Sequence, residues 1–103
     1  MSWEEVVRKE FKDYIIADRT RSDGVGMYGI GTRKQIVIKF SNGYGASVVD
    51  GQGSYGLELA VLVFDGNSYS LTYNTPITDD VLGHLTNEEL IKTLHDIKQL
   101  KGE

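Results

Sequence analysis

A chain of 103 residues, 40% hydrophobic and 25% charged, has the size and make-up of one folded domain; it is too short for two cores and too apolar for wholesale disorder. A formal charge of -4 disfavours direct nucleic-acid binding, which needs clustered Lys and Arg, yet the acidic excess is too small to imitate DNA. The lack of cysteine excludes disulfides and thiolate chemistry and suits a reducing cytoplasm; no apolar run is long enough to span a bilayer, and the first residues lack the pattern of a secretory signal, so a cytoplasmic protein with no membrane partner is expected.

Ser2-Trp3-Glu4-Glu5 has the spacing of a helix-capping box. Apolar residues then recur at Trp3, Val6, Val7, Phe11, Tyr14 and Ile15, with Glu4, Arg8, Lys9, Lys12 and Asp13 on the other face, which predicts an amphipathic helix from residue 3 to about 16. Between Asp18 and Lys34 the periodicity stops. Four glycines and four basic residues there read as a long loop with a short strand near Met27 to Ile30, and long loops in small domains often carry function.

Strands are expected at Gln35 to Phe40 and Tyr44 to Asp50, joined by a tight turn at Asn42-Gly43, a pair that tolerates positive φ. A third, Leu57 to Phe64, turns at Asp65-Gly66-Asn67 into a fourth, Tyr69 to Tyr73, before Thr75-Pro76 ends the sheet. Thr78 caps a single helical turn, Asp79 to Leu82, stopped by Gly83. Thr86-Asn87-Glu88-Glu89 is a second capping box, with Leu85 and Leu90 placed as a hydrophobic staple, and Leu90, Ile91, Leu94, Ile97 and Leu100 form the buried stripe of a last helix.

These elements predict an α+β domain over residues 1–103: an antiparallel meander of about four strands, with the N-terminal and C-terminal helices on one face. Because Leu57 to Phe64 is apolar on both sides and Val37 opposes Ile36 and Ile38, the other face also needs cover, and a homo-oligomer would supply it.

No pattern of catalysis emerges, and the expectation is a protein that is not an enzyme and takes no cofactor. Gly24-Val25-Gly26-Met27-Tyr28-Gly29 has the letters of a dinucleotide fingerprint but follows a helix and precedes a strand, the reverse of what that motif needs. His84 and His95 have no second ligand at metal spacing. Asp79 with Asp80 and Glu88 with Glu89 are adjacent pairs that diverge on a helix and fit its positive end better than acid–base work. The serines have no base at fixed spacing.

The tyrosines of the glycine-rich and sheet regions are more suggestive. Sheet packing accounts for many of them. A binding surface would instead use Tyr28, Tyr44 and Tyr55 as walls for a ring, with Arg19, Arg21 and Arg33 holding phosphate or carboxylate.

The strings Asn42-Gly43-Tyr44-Gly45-Ala46-Ser47-Val48-Val49, Ser54-Tyr55-Gly56, Glu58-Leu59-Ala60-Val61 and the run from Thr75 to Thr86 resemble a family of small proteins encoded by bacteriophages and prophages. The resemblance covers about residues 35 to 100. It implies a binding protein acting against bacterial defence, most concretely a sponge for a nucleotide-derived immune signal, with Arg19, Arg21, Tyr28, Arg33, Tyr44 and Tyr55 as contacts. The alternatives are a protein inhibitor of a host defence nuclease of the CRISPR type and a phage assembly factor. The partner is accordingly a nucleotide-like small molecule or a host defence protein.

Overall fold

The computed structural model describes residues 2–21, 33–51, 56–72, 74–77 and 81–101. Helix α1 (Trp3–Glu10) leads through a 3-10 turn at Lys12–Tyr14 into β1 (Ile15–Arg21). Strands β2 (Arg33–Lys39), β3 (Tyr44–Gly51), β4 (Glu58–Asp65) and β5 (Ser68–Leu71) follow, and helix α2 (Asn87–Lys98) comes last. The architecture is α+β: the five strands form one antiparallel sheet in chain order, a meander.

The sheet therefore has one strand more than the apolar periodicity suggested. The helix expected to reach residue 16 stops at Phe11, whose backbone leaves the helical region (φ -126, ψ 26). The next residues pair with β2 from Ile15↔Ile38 to Arg21↔Arg33, with an irregularity between Ile15 and Ala17. Ile15 and Ile16 are β-branched and fit a strand as readily as a helix, so the open edge of β2 decides their state. Residues 18–21 and 33–34, expected in a loop, belong to strands; the short strand expected near residues 27–30 lies outside the described residues. Leu82, expected to end a helical turn, makes an antiparallel bridge with Leu59 instead. Val81 is not helical either, and 79–80 lie outside the described residues.

Rows of the sheet explain the core. Ile36↔Val48↔Leu59 and Ile38↔Ala46↔Val61 face the helices, and all six side chains are buried. Against them lie Trp3, Val7 and Phe11 before the sheet, and Leu90, Leu94 and Ile97 from α2. Phe11 meets the ring of Phe40 edge-on at 5.8 Å and that of His95 at 4.9 Å, closing the seam between the helices. Burying each large aliphatic side chain in this layer contributes about 1.5–3 kcal/mol.

On the opposite face Val37 and Leu62 are also buried. Gly45 leaves room there for the Phe64 ring, because a Cβ at Gly45 would come 2.7 Å from it. Lys39 lies 5.3 Å from the centre of that ring and donates to the carbonyl of Gly66 at 2.9 Å.

Both hairpin turns form where their sequences place them, with Gly43 and Gly66 at φ 88 and 63. The turn between β2 and β3 has a further role. Asn42 Nδ2 donates to the carbonyls of Ile97, Lys98 and Leu100 at 2.9, 3.2 and 2.9 Å, while its Oδ1 accepts from the Tyr44 amide at 3.0 Å. A turn residue thus caps the C-terminus of α2, sharing the Ile97 carbonyl with the Leu100 amide and supplying a donor to those of Lys98 and Leu100. The N-terminus of α2 carries its complete capping box: Thr86 Oγ1 accepts from the Glu89 amide and Glu89 Oε1 from the Thr86 amide, at 3.1 and 2.9 Å.

Two ion pairs fasten α1 to the sheet. Arg8 donates to both oxygens of Asp18 on β1 at 2.7 and 2.9 Å, and Lys34 on β2 stands 2.7 Å from the buried Glu4 carboxylate. Arg8 holds the Asp18 carboxyl below its ordinary value of 3.8 against the opposing effect of burial. Burial pushes the Glu4 carboxyl up, but Lys34, the backbone amide and Ser2 together outweigh it and leave the group below 4.5.

Replacing Asn42 should be costly in an ordered way. Asn42→Ala should lower stability by about 2 kcal/mol, and Asn42→Asp by more, because it sets a negative charge against three carbonyls at the negative end of a helix; urea denaturation of the two variants checks the order. Because both carboxyls are depressed in the folded state, their stabilisation is complete above their ordinary values and is lost as pH falls through the folded ones. The wild-type melting temperature should therefore drop between about pH 5 and 3, and Asp18→Asn should flatten that drop by a few degrees in a thermal melt series.

Candidate functional site

The ends of β1, β2, β3 and β4 that carry Arg21, Arg33, Gly51 and Glu58 lie at one end of the sheet, where the segments 22–32 and 52–55 leave it. Antiparallel register brings together there three of the arginines read from the sequence. Arg21 stands directly opposite Arg33, and Arg19 opposite Gln35, two residues along. Arg21 and Arg33 are placed by their backbone register; Arg19 is exposed. Gln35 is held from behind, its amide donating to Ser47 Oγ at 3.0 Å.

Like charges set directly opposite on a sheet are destabilising unless something answers them. On the helix side of the sheet Asp18 and Glu4 are engaged with Arg8 and Lys34; the acids that the register brings to the arginine end are Asp50, opposite Lys34, and Glu58, opposite Val49. Among the described residues no ion pair is found for Arg19.

Tyr44 does not join this group. It begins β3, while Gly51, the partner of Arg33, ends it, a separation of about 20 Å along a strand. Tyr44 is half-buried and packs against the core. Its position beside the Asn42 turn makes it part of the fold rather than of the arginine end. Tyr28 and Tyr55 lie outside the described residues, in the two segments that leave the sheet at the arginine end.

A residue that the spacing of histidines passed over borders the same end. His84 has φ 54, the left-handed region that side chains other than glycine rarely enter. The cause is local. Leu59 exchanges two backbone hydrogen bonds with Leu82, and Leu85 donates to the Leu57 carbonyl at 3.0 Å, so three steps on the returning segment match two on β4. The extra residue is a bulge, and His84 carries the left-handed turn. Gly56, itself at φ 61, passes so close that a Cβ there would lie 3.2 Å from His84 Nδ1. The Gly83-His84 dipeptide between two leucines was the available signal, but the bulge exists only because a distant segment adds to the edge of β4.

Grooves lined wholly by described residues lie elsewhere. One of about 510 Å³ runs along Val63, Phe64, Asp65, Ser68, Tyr69 and Ser70; another, of about 470 Å³, lies among Val6, Asn87, Glu88, Ile91 and Lys92; a polar cleft of about 310 Å³ surrounds Glu4 and Lys34. Among the described residues there is no group of three His, Cys, Asp or Glu side chains that could hold a metal ion, and no helix is long and apolar enough to cross a membrane. Comparison with protein-family models, with curated proteins and with solved structures finds no match.

Glycines at positive φ should tolerate change unevenly. Gly56→Ala meets both a positive φ and the His84 ring and should cost about 1–2 kcal/mol, whereas Gly43→Ala, at a positive φ in open space, should cost less; chemical denaturation of the pair distinguishes them.

Proposed function

We propose that the chain is a small, phage-encoded, non-catalytic binding protein that antagonises bacterial host defence in the host cytoplasm by sequestering a nucleotide-derived immune signal. The observation that carries this reading is the register of β1 on β2, which sets Arg21 against Arg33 with Arg19 two residues away. A phosphate group answers such a cluster well, since guanidinium groups bind it through paired, charge-assisted hydrogen bonds. Its affinity for the cluster would offset the repulsion between like charges set opposite each other in register.

Two further features support the same end of the sheet. The segments that leave it contain Tyr28 and Tyr55, whose rings have the faces needed to stack on a base. Glycines at 24, 26, 29, 31 and 53 in those segments let a backbone approach a ligand closely. The resemblance to phage and prophage proteins supplies the biological setting.

Native mass spectrometry of protein purified from phage-challenged bacteria, before and after denaturation, tests the reading. A retained mass of nucleotide size, released on unfolding, is the expected result, and titration calorimetry with that nucleotide should show at least a tenfold loss of affinity in Arg21→Ala/Arg33→Ala, about 1.4 kcal/mol or more. A bare chain, or binding untouched by the double substitution, overturns it. A host protein retained in place of a nucleotide overturns it too, in favour of a protein inhibitor of a defence nuclease.

A further inference from the structure

The two outer strands of the sheet differ in how they meet solvent. β1 carries Asp18, Arg19 and Arg21 and an irregularity near its start, the devices by which proteins discourage pairing at an edge. β5 carries none of them. All four of its residues, Ser68–Leu71, are exposed, and the run Ser68-Tyr69-Ser70-Leu71-Thr72-Tyr73-Asn74 contains no charge and no proline. Tyr69 and Leu71 are 44% and 50% exposed and stand side by side on one face, whereas the single large exposed apolar side chain described on β1, Ile16, lies at its irregular start. Among the described residues no strand lies beyond β5.

The register of the β4–β5 hairpin shows what that edge offers. Asp65↔Ser68 closes the two-residue turn, and Val63↔Ser70 follows two residues along. Thr72 donates to the Val61 carbonyl at 3.0 Å, continuing the same series. In an antiparallel ladder hydrogen-bonded pairs alternate with non-bonded ones, so Ser68, Ser70 and Thr72 direct their amides and carbonyls to β4. Tyr69 and Leu71 then direct theirs outward.

We infer that β5 is a homodimer interface, in which two copies of this chain pair their β5 strands antiparallel about a twofold axis at Ser70. That register sets Tyr69 of each copy opposite Leu71 of the other. Both are residues with outward backbone groups, so the two pairs exchange four hydrogen bonds, with the non-bonded Ser70–Ser70 pair between them. It also sets an aromatic ring against an aliphatic side chain twice on one face, a favourable cross-strand combination. A second copy suits the edge better than an unrelated strand because the surface is self-complementary: the chain carries net charge -4, yet this pairing brings no two like charges together. Two meanders become one ten-stranded sheet with all four helices on the same side, and the arginine ends of both copies stay clear of the junction. The inference is independent of the nucleotide reading.

The absence of cysteine from the natural sequence makes the register directly testable. The unsubstituted 103-residue chain should sediment at twice 11.5 kDa, dissociating on dilution, and Tyr69→Lys/Leu71→Lys should sediment at 11.5 kDa with an unchanged circular dichroism spectrum. Ser70→Cys should form a disulfide-linked dimer under mild oxidation, because a non-bonded antiparallel pair holds its Cα atoms about 4.5 Å apart, within disulfide reach. Ser47→Cys, on an inner strand, should not. Wild type that stays monomeric at millimolar concentration overturns the inference, as does a dimer that survives the double lysine substitution. If the lysine variant unfolds, Ser70→Cys alone decides: no more cross-linking than Ser47→Cys overturns the interface.

Discussion

The side chain of Asn42 holds the two layers of this protein together. It sits in the turn at the middle of the meander, yet its amide group reaches three carbonyls at the end of a helix more than fifty residues away. Without it, the carbonyls of Lys98 and Leu100 would lose this donor over an apolar sheet, and the C-terminal half of α2, with Leu94 and Ile97, would rest on Ala46 and Val48 mainly through apolar contact, which is non-directional. One carboxamide, with both its polar atoms used, turns a loose apolar contact into a defined one.

With α2 held there, α1 completes the layer from the other side. Its attachment combines three buried apolar residues, Trp3, Val7 and Phe11, with two ion pairs to neighbouring strands. The paired charges belong to one alternation of β1 and β2. On the helix side Asp18 and Lys34 are matched by Arg8 and Glu4. In the other alternation the register sets Arg21 opposite Arg33 and Arg19 opposite a neutral glutamine, with Glu58 farther along the latter row. The binding reading grows from that contrast rather than from any catalytic arrangement.

The helix-free face is closed from within as much as from outside. Val37 and Leu62 are buried in the single chain, and Phe64 lies over the space that Gly45 leaves. The apolarity of β4 on both sides thus does not by itself require a partner. Two of the three large apolar side chains that remain exposed among the described residues, Tyr69 and Leu71, stand together on the far edge, at β5, so the case for a second copy moves from the face of the sheet to its border.

The sequence alone determined several features that depend on neighbours a few residues apart. The turns at Asn42-Gly43 and Asp65-Gly66 follow from backbone angles open to Asn and Gly, the start of α2 from the reach of Thr86 and Glu89, and its buried stripe from helical spacing. The α+β class followed from these. The tertiary structure decided whatever depends on a partner far along the chain. Ile15 and Ile16 satisfy helical spacing and strand preference equally, and the open edge of β2 chose the strand. Leu82 became part of the sheet because β5 is too short to cover β4, and His84 was forced into its bulge as a result. The candidate site divides in the same way: Arg19, Arg21 and Arg33 were visible as basic residues beside glycines, but their meeting depends on β1, a strand that local periodicity concealed. Tyr44 shared their composition and not their place, because the pleat and the turn carried it to the core at the other end.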